Sequence, residues 1–174
     1  MADHVLERRL WLPRPRPEVF AFFADPDNLT RVTAPSAHLR WVVPPPSLLA
    51  AGAVLDFRIR QFGVPVRWRV FVREFDPPHR FVDAQLWGPF ARWEHRHCFV
   101  ESQPDEPIGT WVEDRVTYRL PLGGVGRLVH ALGAGRRIAR VFDYRERRLK
   151  ELLGAVASAR PSRCASERAE TDGR

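Results

Sequence analysis

The sequence predicts an α+β domain in which a curved antiparallel sheet of about seven strands wraps around one long C-terminal helix. Two observations lead to this fold class. Apolar and polar residues alternate through most of residues 39–120, a period typical of strands with one buried face. Beyond residue 126 the apolar period becomes that of an amphipathic helix about thirty residues long. No helical pattern separates the predicted strands, so they form a meander rather than parallel crossovers.

One strand and two short helices are predicted before the meander. Residues His4–Leu12 alternate as a strand, and a proline-rich stretch ends it. Pro17 and Glu18 then open a helix, because proline suits the first turn and an acidic residue complements the helix dipole. Residues 25–28 break this helix, and residues 29–33 predict another short helical turn.

Clusters of proline, glycine and aspartate divide the meander into separate strands, because these residues favour turns. The predicted strands are residues 39–43, 54–62, 64–75, 81–87, 93–101 and 110–120. The apolar stripe of the last helix is formed by Leu128, Leu132, Ile138, Phe142, Leu149, Leu153 and Val156. We expect one domain over residues 1–157 and a disordered polar tail over residues 158–174, which has no periodicity.

Composition indicates a soluble protein. Among the 174 residues, 44% are hydrophobic and 28% are charged, which is the balance of a globular domain. No apolar run approaches the ~20 residues of a membrane helix, and the N-terminus shows no secretion signal. We therefore expect a cytoplasmic protein. Cys98 and Cys164 are expected to be two free thiols in a reducing compartment.

The formal net charge of +7 raises the question of a nucleic-acid partner. Lys150 is the only lysine, and a charge carried almost wholly by arginine is typical of coding bias. The arginines also alternate with apolar residues along strands, as on a solvated sheet face. We therefore predict no specific nucleic-acid partner. Weak association with anionic membranes stays open, since positive charge recurs along the last helix.

The strand over residues 93–101 places polar groups on the apolar face of the sheet. Its inward phase holds His95 and His97, and Asp114 and Tyr118 share that face if the next strand pairs antiparallel. An unpaired buried polar group costs about 1–3 kcal/mol, so these groups either pair with one another or line a cavity. An aromatic wall with a few polar groups suits a small-molecule site. The predicted ligand contacts are Phe57, Trp68, Trp87, Trp93, His95, His97, Phe99, Asp114, Tyr118, Leu132 and Phe142.

Several interpretations of the polar residues stay open. A satisfied internal network that fixes strand register is one of them. Catalysis is another, with His95, His97, Asp114 and Tyr118 as candidates and no role assigned. The two histidines with Asp114 also have the donor types of an iron or zinc site, but chance easily produces this spacing, so we predict no metal and no cofactor. The face occupied by Asp83 and Gln85 is not determined.

Specific stretches resemble the START and pollen-allergen-like superfamily, also called SRPBCC. Residues 17–20 (Pro-Glu-Val-Phe), 25–29 (Asp-Pro-Asp-Asn-Leu) and 33–35 (Thr-Ala-Pro) are similar to its opening. Residues 88–99 and 114–121 resemble a bacterial subgroup described as polyketide cyclase or dehydrase-like. The resemblance implies a helix-grip fold with a cavity between sheet and last helix. Members carry lipids, sterols, quinones or plant hormones, and some close polyketide rings.

We accordingly predict that the chain binds or carries a small hydrophobic ligand, which is lipid-, quinone- or polyketide-like. One alternative is a cyclase or dehydratase, in which a histidine removes a proton and Tyr118 donates a hydrogen bond to the developing oxyanion. Another is a non-catalytic interaction protein that acts through the basic C-terminal helix. Binding is favoured over catalysis, and either a monomer or a homodimer is compatible with the sequence.

Overall fold

An antiparallel sheet forms the frame of the protein. The computed structural model describes residues 3–61, 63–121 and 133–154, and seven strands cross these ranges. The strands are β1 His4–Leu12, β2 Arg40–Trp41, β3 Val54–Gln61, β4 Val64–Asp76, β5 Arg80–Trp87, β6 Arg92–Glu101 and β7 Thr110–Arg119. Their order in the sheet is β1-β7-β6-β5-β4-β3-β2, with every neighbouring pair antiparallel. The predicted fold class is confirmed.

Two short helices follow β1 and lead into the meander. Helix α1 spans Arg16–Ala24 and has proline in its first turn, as the sequence predicts. Helix α2 spans Asp27–Val32, and a single 3₁₀ turn over Pro35–Ala37 precedes β2. The rings of Phe20 and Phe23 in α1 pack at 5.2–5.3 Å from Phe99 of β6, which attaches α1 to the sheet.

The C-terminal helix, α3, spans Gly135–Leu153. It buries four residues of the predicted apolar stripe, namely Ile138, Phe142, Leu149 and Leu153. The rest of that stripe, Leu128, Leu132 and Val156, lies outside the described residues, as does the tail predicted over residues 158–174. Within the described ranges, no helix has the length and apolar character needed to cross a bilayer.

Two β-bulges interrupt the pairing of β4 with β5, and the register between them shows which side chains of β5 face inward. The pairing shifts between Arg69 and Val70 and again between Val72 and Glu74. Between these shifts, Val70 is opposite Gln85 and Val72 is opposite Asp83. Because Val70 and Val72 are buried and line the interior cavity, Asp83 and Gln85 lie on the inner face as well.

Candidate functional site

A cavity of about 540 Å³ lies between the concave face of the sheet, α1, α2 and α3. This volume lies within the range of small-molecule sites. Its apolar wall includes Leu55, Phe57, Ile59, Trp68, Val70, Val72, Phe81, Ile138, Phe142 and Leu149. The inward phase of β3 and β4 and the apolar stripe of α3 supply most of these residues, so the alternation in the sequence directly produces the wall.

The residues predicted to contact a ligand have different positions. Those that line the cavity are Phe57, Trp68, Trp93, His95, His97 and Phe142. Those buried outside its lining are Phe99, Asp114 and Tyr118. Leu132 lies outside the described residues. The role of each in binding stays a prediction.

Trp87 lies away from this cavity and is 56% exposed. The first β-bulge explains its position, because Trp87 pairs with Arg69 on the outer face while Gln85 pairs with Val70 on the inner face. Leu86 is the extra residue between them. A strict period of two, which groups Trp87 with Asp83 and Gln85, does not hold across this point.

Two aspartates and two histidines meet at the wall formed by β5, β6 and β7. The register places Asp83 opposite His95 and His97 opposite Asp114. His95 Nε2 donates a hydrogen bond to Asp114 Oδ1 at 3.1 Å. His97 Nδ1 lies 2.7 Å from the same oxygen, a close electrostatic contact. Adjacent strands thus hold the four side chains in one cluster.

Burial and mutual charge shift the pKa values in this cluster in different directions. Burial disfavours the Asp114 carboxylate, but the histidines beside it hold its pKa well below the usual range. Burial and the neighbouring His97 lower the pKa of His95. Burial also disfavours charge on His97, but Asp114 and Asp83 raise the pKa of His97 above its ordinary value. Asp114 is therefore ionised at neutral pH, while His95 is the neutral imidazole.

Asp83 is a site residue that the sequence analysis did not assign to a face. Its carboxylate Oδ2 lies 3.4 Å from His97 Nε2 and 3.9 Å from His95 Nδ1. One donor atom from each of these three residues lies within 4.8 Å of the others, so the set could hold a metal ion. The sequence signal for this position was that Asp83 shares the strand phase of Trp87, and the apolar set Val82, Ala84 and Leu86 in the opposite phase made that signal ambiguous.

Two hydrogen-bond donors in the cavity wall have no acceptor. The Trp68 indole Nε1 and the Arg145 guanidinium Nε are buried, and neither has a hydrogen-bond partner among the described residues. The Arg145 guanidinium lies 5.2 Å from the centre of the Phe23 ring. A buried unsatisfied donor is costly, so a group bearing acceptor oxygens would be stabilised here.

Comparison with known families identifies the protein's relatives. Residues 12–142 match the family described as polyketide cyclase/dehydrase and lipid transport. The chain belongs to this family. A comparison with curated proteins gives no match. The predicted relation to the polyketide cyclase or dehydrase-like subgroup is confirmed by this match. The structures below, one of them a START superfamily protein, share the predicted fold.

Solved structures similar to this member of the polyketide cyclase/dehydrase and lipid transport family have the same fold. A protein from Thermus thermophilus is 21% identical, with a TM-score of 0.62 and coverage of 86% of this chain and 99% of that one. A START superfamily protein from Mycobacterium smegmatis has 15% identity, a TM-score of 0.62 and the same coverages. The Zhui aromatase/cyclase from Streptomyces sp. R1128 has 11% identity and a TM-score of 0.60, covering 87% and 96%.

Proposed function

We propose that this protein binds a small hydrophobic molecule in the cavity between the sheet and α3. The observation that carries the proposal is the cavity of about 540 Å³, whose wall is mainly aromatic and aliphatic. A solid core would bring α3 against Trp68 and Val70 and leave no such space. Membership of a family that includes lipid transport proteins supports the same function.

The unsatisfied donors indicate the chemistry of the ligand. Trp68 Nε1 and Arg145 Nε each require an acceptor, and none of the described residues accepts a hydrogen bond from them. A ligand with an apolar body and carbonyl or carboxylate oxygens would bury its surface and satisfy both donors. Quinones, polyketides and fatty acids have this combination, and they are the ligand classes that we propose.

Trp93→Ala is expected to weaken binding of a fluorescent fatty acid analogue about tenfold to a hundredfold, as measured by fluorescence titration. Trp93 lines the cavity and packs against Trp68 at 5.0 Å between ring centres. Burial of one large apolar side chain contributes about 1.5–3 kcal/mol, which corresponds to that change in affinity.

Trp87→Ala is the matched control, because it removes the same side chain from an exposed position outside the cavity. Its affinity for the same probe is expected to equal that of the wild type. Unchanged affinity in both Trp93→Ala and His95→Ala would contradict the proposed function.

A cyclase or dehydratase is the second candidate function, and the cluster in the cavity wall is the observation that favours it. His95 and His97 line the space in which a ligand would lie, and Asp114 orients both rings from behind. Tyr118 does not line this cavity, so the hydrogen bond to an oxyanion would come from another donor. Turnover of a poly-β-keto substrate mimic, lost in His97→Ala, is the expected result. Absence of turnover by the intact protein would exclude this function for that substrate.

A further inference from the structure

We propose that Asp83, His95 and His97 form a binding site for a divalent transition-metal ion such as Zn²⁺ or Fe²⁺. The site would lie in the wall of the cavity, with its remaining coordination positions directed toward the enclosed space. Two imidazoles and one carboxylate are donors that these ions accept. This site goes beyond the proposed function, because it concerns a metal ion that would bind without any organic ligand.

The spacing of the donor atoms suits an ion at the centre of the set. Metal–ligand distances of about 2.0–2.2 Å in a tetrahedral site place neighbouring donors about 3.3 Å apart. Asp83 Oδ2 lies 3.4 Å from His97 Nε2 and 3.9 Å from His95 Nδ1, and all three donors fall within 4.8 Å. A slight contraction of the side chains around an ion would complete the geometry.

Asp114 provides the support that histidine ligands usually have in proteins. A ligating histidine commonly directs its other ring nitrogen to a carboxylate, which fixes the ring and increases its basicity. Here His95 Nε2 and His97 Nδ1, the nitrogens opposite those facing Asp83, both lie at Asp114 Oδ1, at 3.1 and 2.7 Å. One buried carboxylate therefore orients two ligands.

The same geometry distinguishes this set from the one considered in the sequence analysis. There, Asp114 was the carboxylate beside the two histidines, and no metal was predicted. In the structure Asp114 is buried outside the cavity lining, whereas Asp83 lines the cavity. The carboxylate on the cavity side of the two histidines is thus Asp83.

The positive charge of Arg145 near His97 acts against a bound cation. The Arg145→Met variant is therefore expected to bind metal more tightly than the wild type.

The test is a titration of the full chain, first stripped of metal with a chelator, with Co²⁺ as a spectroscopic probe. We expect one equivalent of Co²⁺ per chain with visible d–d absorption, and displacement of Co²⁺ by Zn²⁺. Asp83→Asn, which keeps the side-chain shape, should lose this absorption. Asp114→Asn should weaken the affinity about 10- to 100-fold without changing the stoichiometry.

His79→Ala is the matched control, because His79 is exposed on the turn between β4 and β5. It should bind Co²⁺ as the wild type does. Zn²⁺ should also raise the melting temperature of the wild type but not that of Asp83→Asn. Substoichiometric binding by the wild type, or equal binding by Asp83→Asn and His79→Ala, would overturn the proposal. Neither result would affect the fatty acid titration, so the two proposals fail separately.

Discussion

Asp114→Ala is expected to reduce the free energy of unfolding by about 3–5 kcal/mol in metal-free buffer at neutral pH. Asp114 is 8% exposed, and it is the carboxylate nearest to both buried histidines. Its removal would leave His95 without its hydrogen-bond acceptor and His97 without its closest counter-charge. Breaking one side of a buried ion pair is far more costly than removing an exposed one. Urea denaturation followed by tryptophan fluorescence measures the change.

Glu113→Ala provides the control for this substitution. Glu113 is the neighbouring residue on β7, its side chain is 45% exposed, and it pairs with Arg9 at 3.1 Å. An exposed ion pair of this kind contributes about 0–1 kcal/mol. If Asp114→Ala were no more destabilising than Glu113→Ala, the cluster would not be the stabilising network described above.

Val70→Phe is expected to abolish binding of the fatty acid analogue while changing stability by less than about 1 kcal/mol. Val70 lines the cavity, so the larger ring would occupy open space rather than displace packed atoms. In a closed core, the same enlargement would instead cost about 1–3 kcal/mol through strained side chains. The combination of retained stability and lost binding therefore reports an open cavity.

Val116→Phe is the matched substitution in solid core. Val116 is fully buried on β7 and does not line the cavity. The Val116→Phe variant should be less stable than the wild type by about 1–3 kcal/mol in the urea experiment, since no space accommodates the ring. Equal destabilisation by Val70→Phe and Val116→Phe would mean that the region around Val70 is filled.

Much of the fold follows from the alternation of apolar and polar residues along the strands. Strands β3 to β7 lie within one or two residues of their predicted ranges, because a single buried face imposes a period of two along each strand. Pro17 and Glu18 likewise mark the start of α1 correctly. The local sequence pattern was sufficient to predict a strand wherever that strand pairs with its neighbour in regular register.

The candidate site was only partly predictable. The inward phase of β6 identified His95 and His97, but β5 alone did not show which face Asp83 occupies, because Val82, Ala84 and Leu86 form a competing apolar set. The pairing of β5 with β6 places Asp83 opposite His95 and so on the inner face. A β-bulge between Gln85 and Trp87 turns Trp87 outward. Asp56 is a further case: it lies in a charged outward phase, yet it is 6% exposed because Arg67 binds it through two hydrogen bonds of 2.8 and 2.6 Å. Burial of a charged residue such as Asp56 thus depends on a long side chain that reaches it from the neighbouring strand.

Native mass spectrometry of freshly purified protein, with organic extraction and identification of any copurifying compound, tests the central claim most directly. We expect a stoichiometric hydrophobic molecule with acceptor oxygens, such as a lipid, a quinone or a polyketide, bound to the intact chain. A bare protein that also takes up no hydrophobic dye would contradict it, because the inner face would then be a closed core.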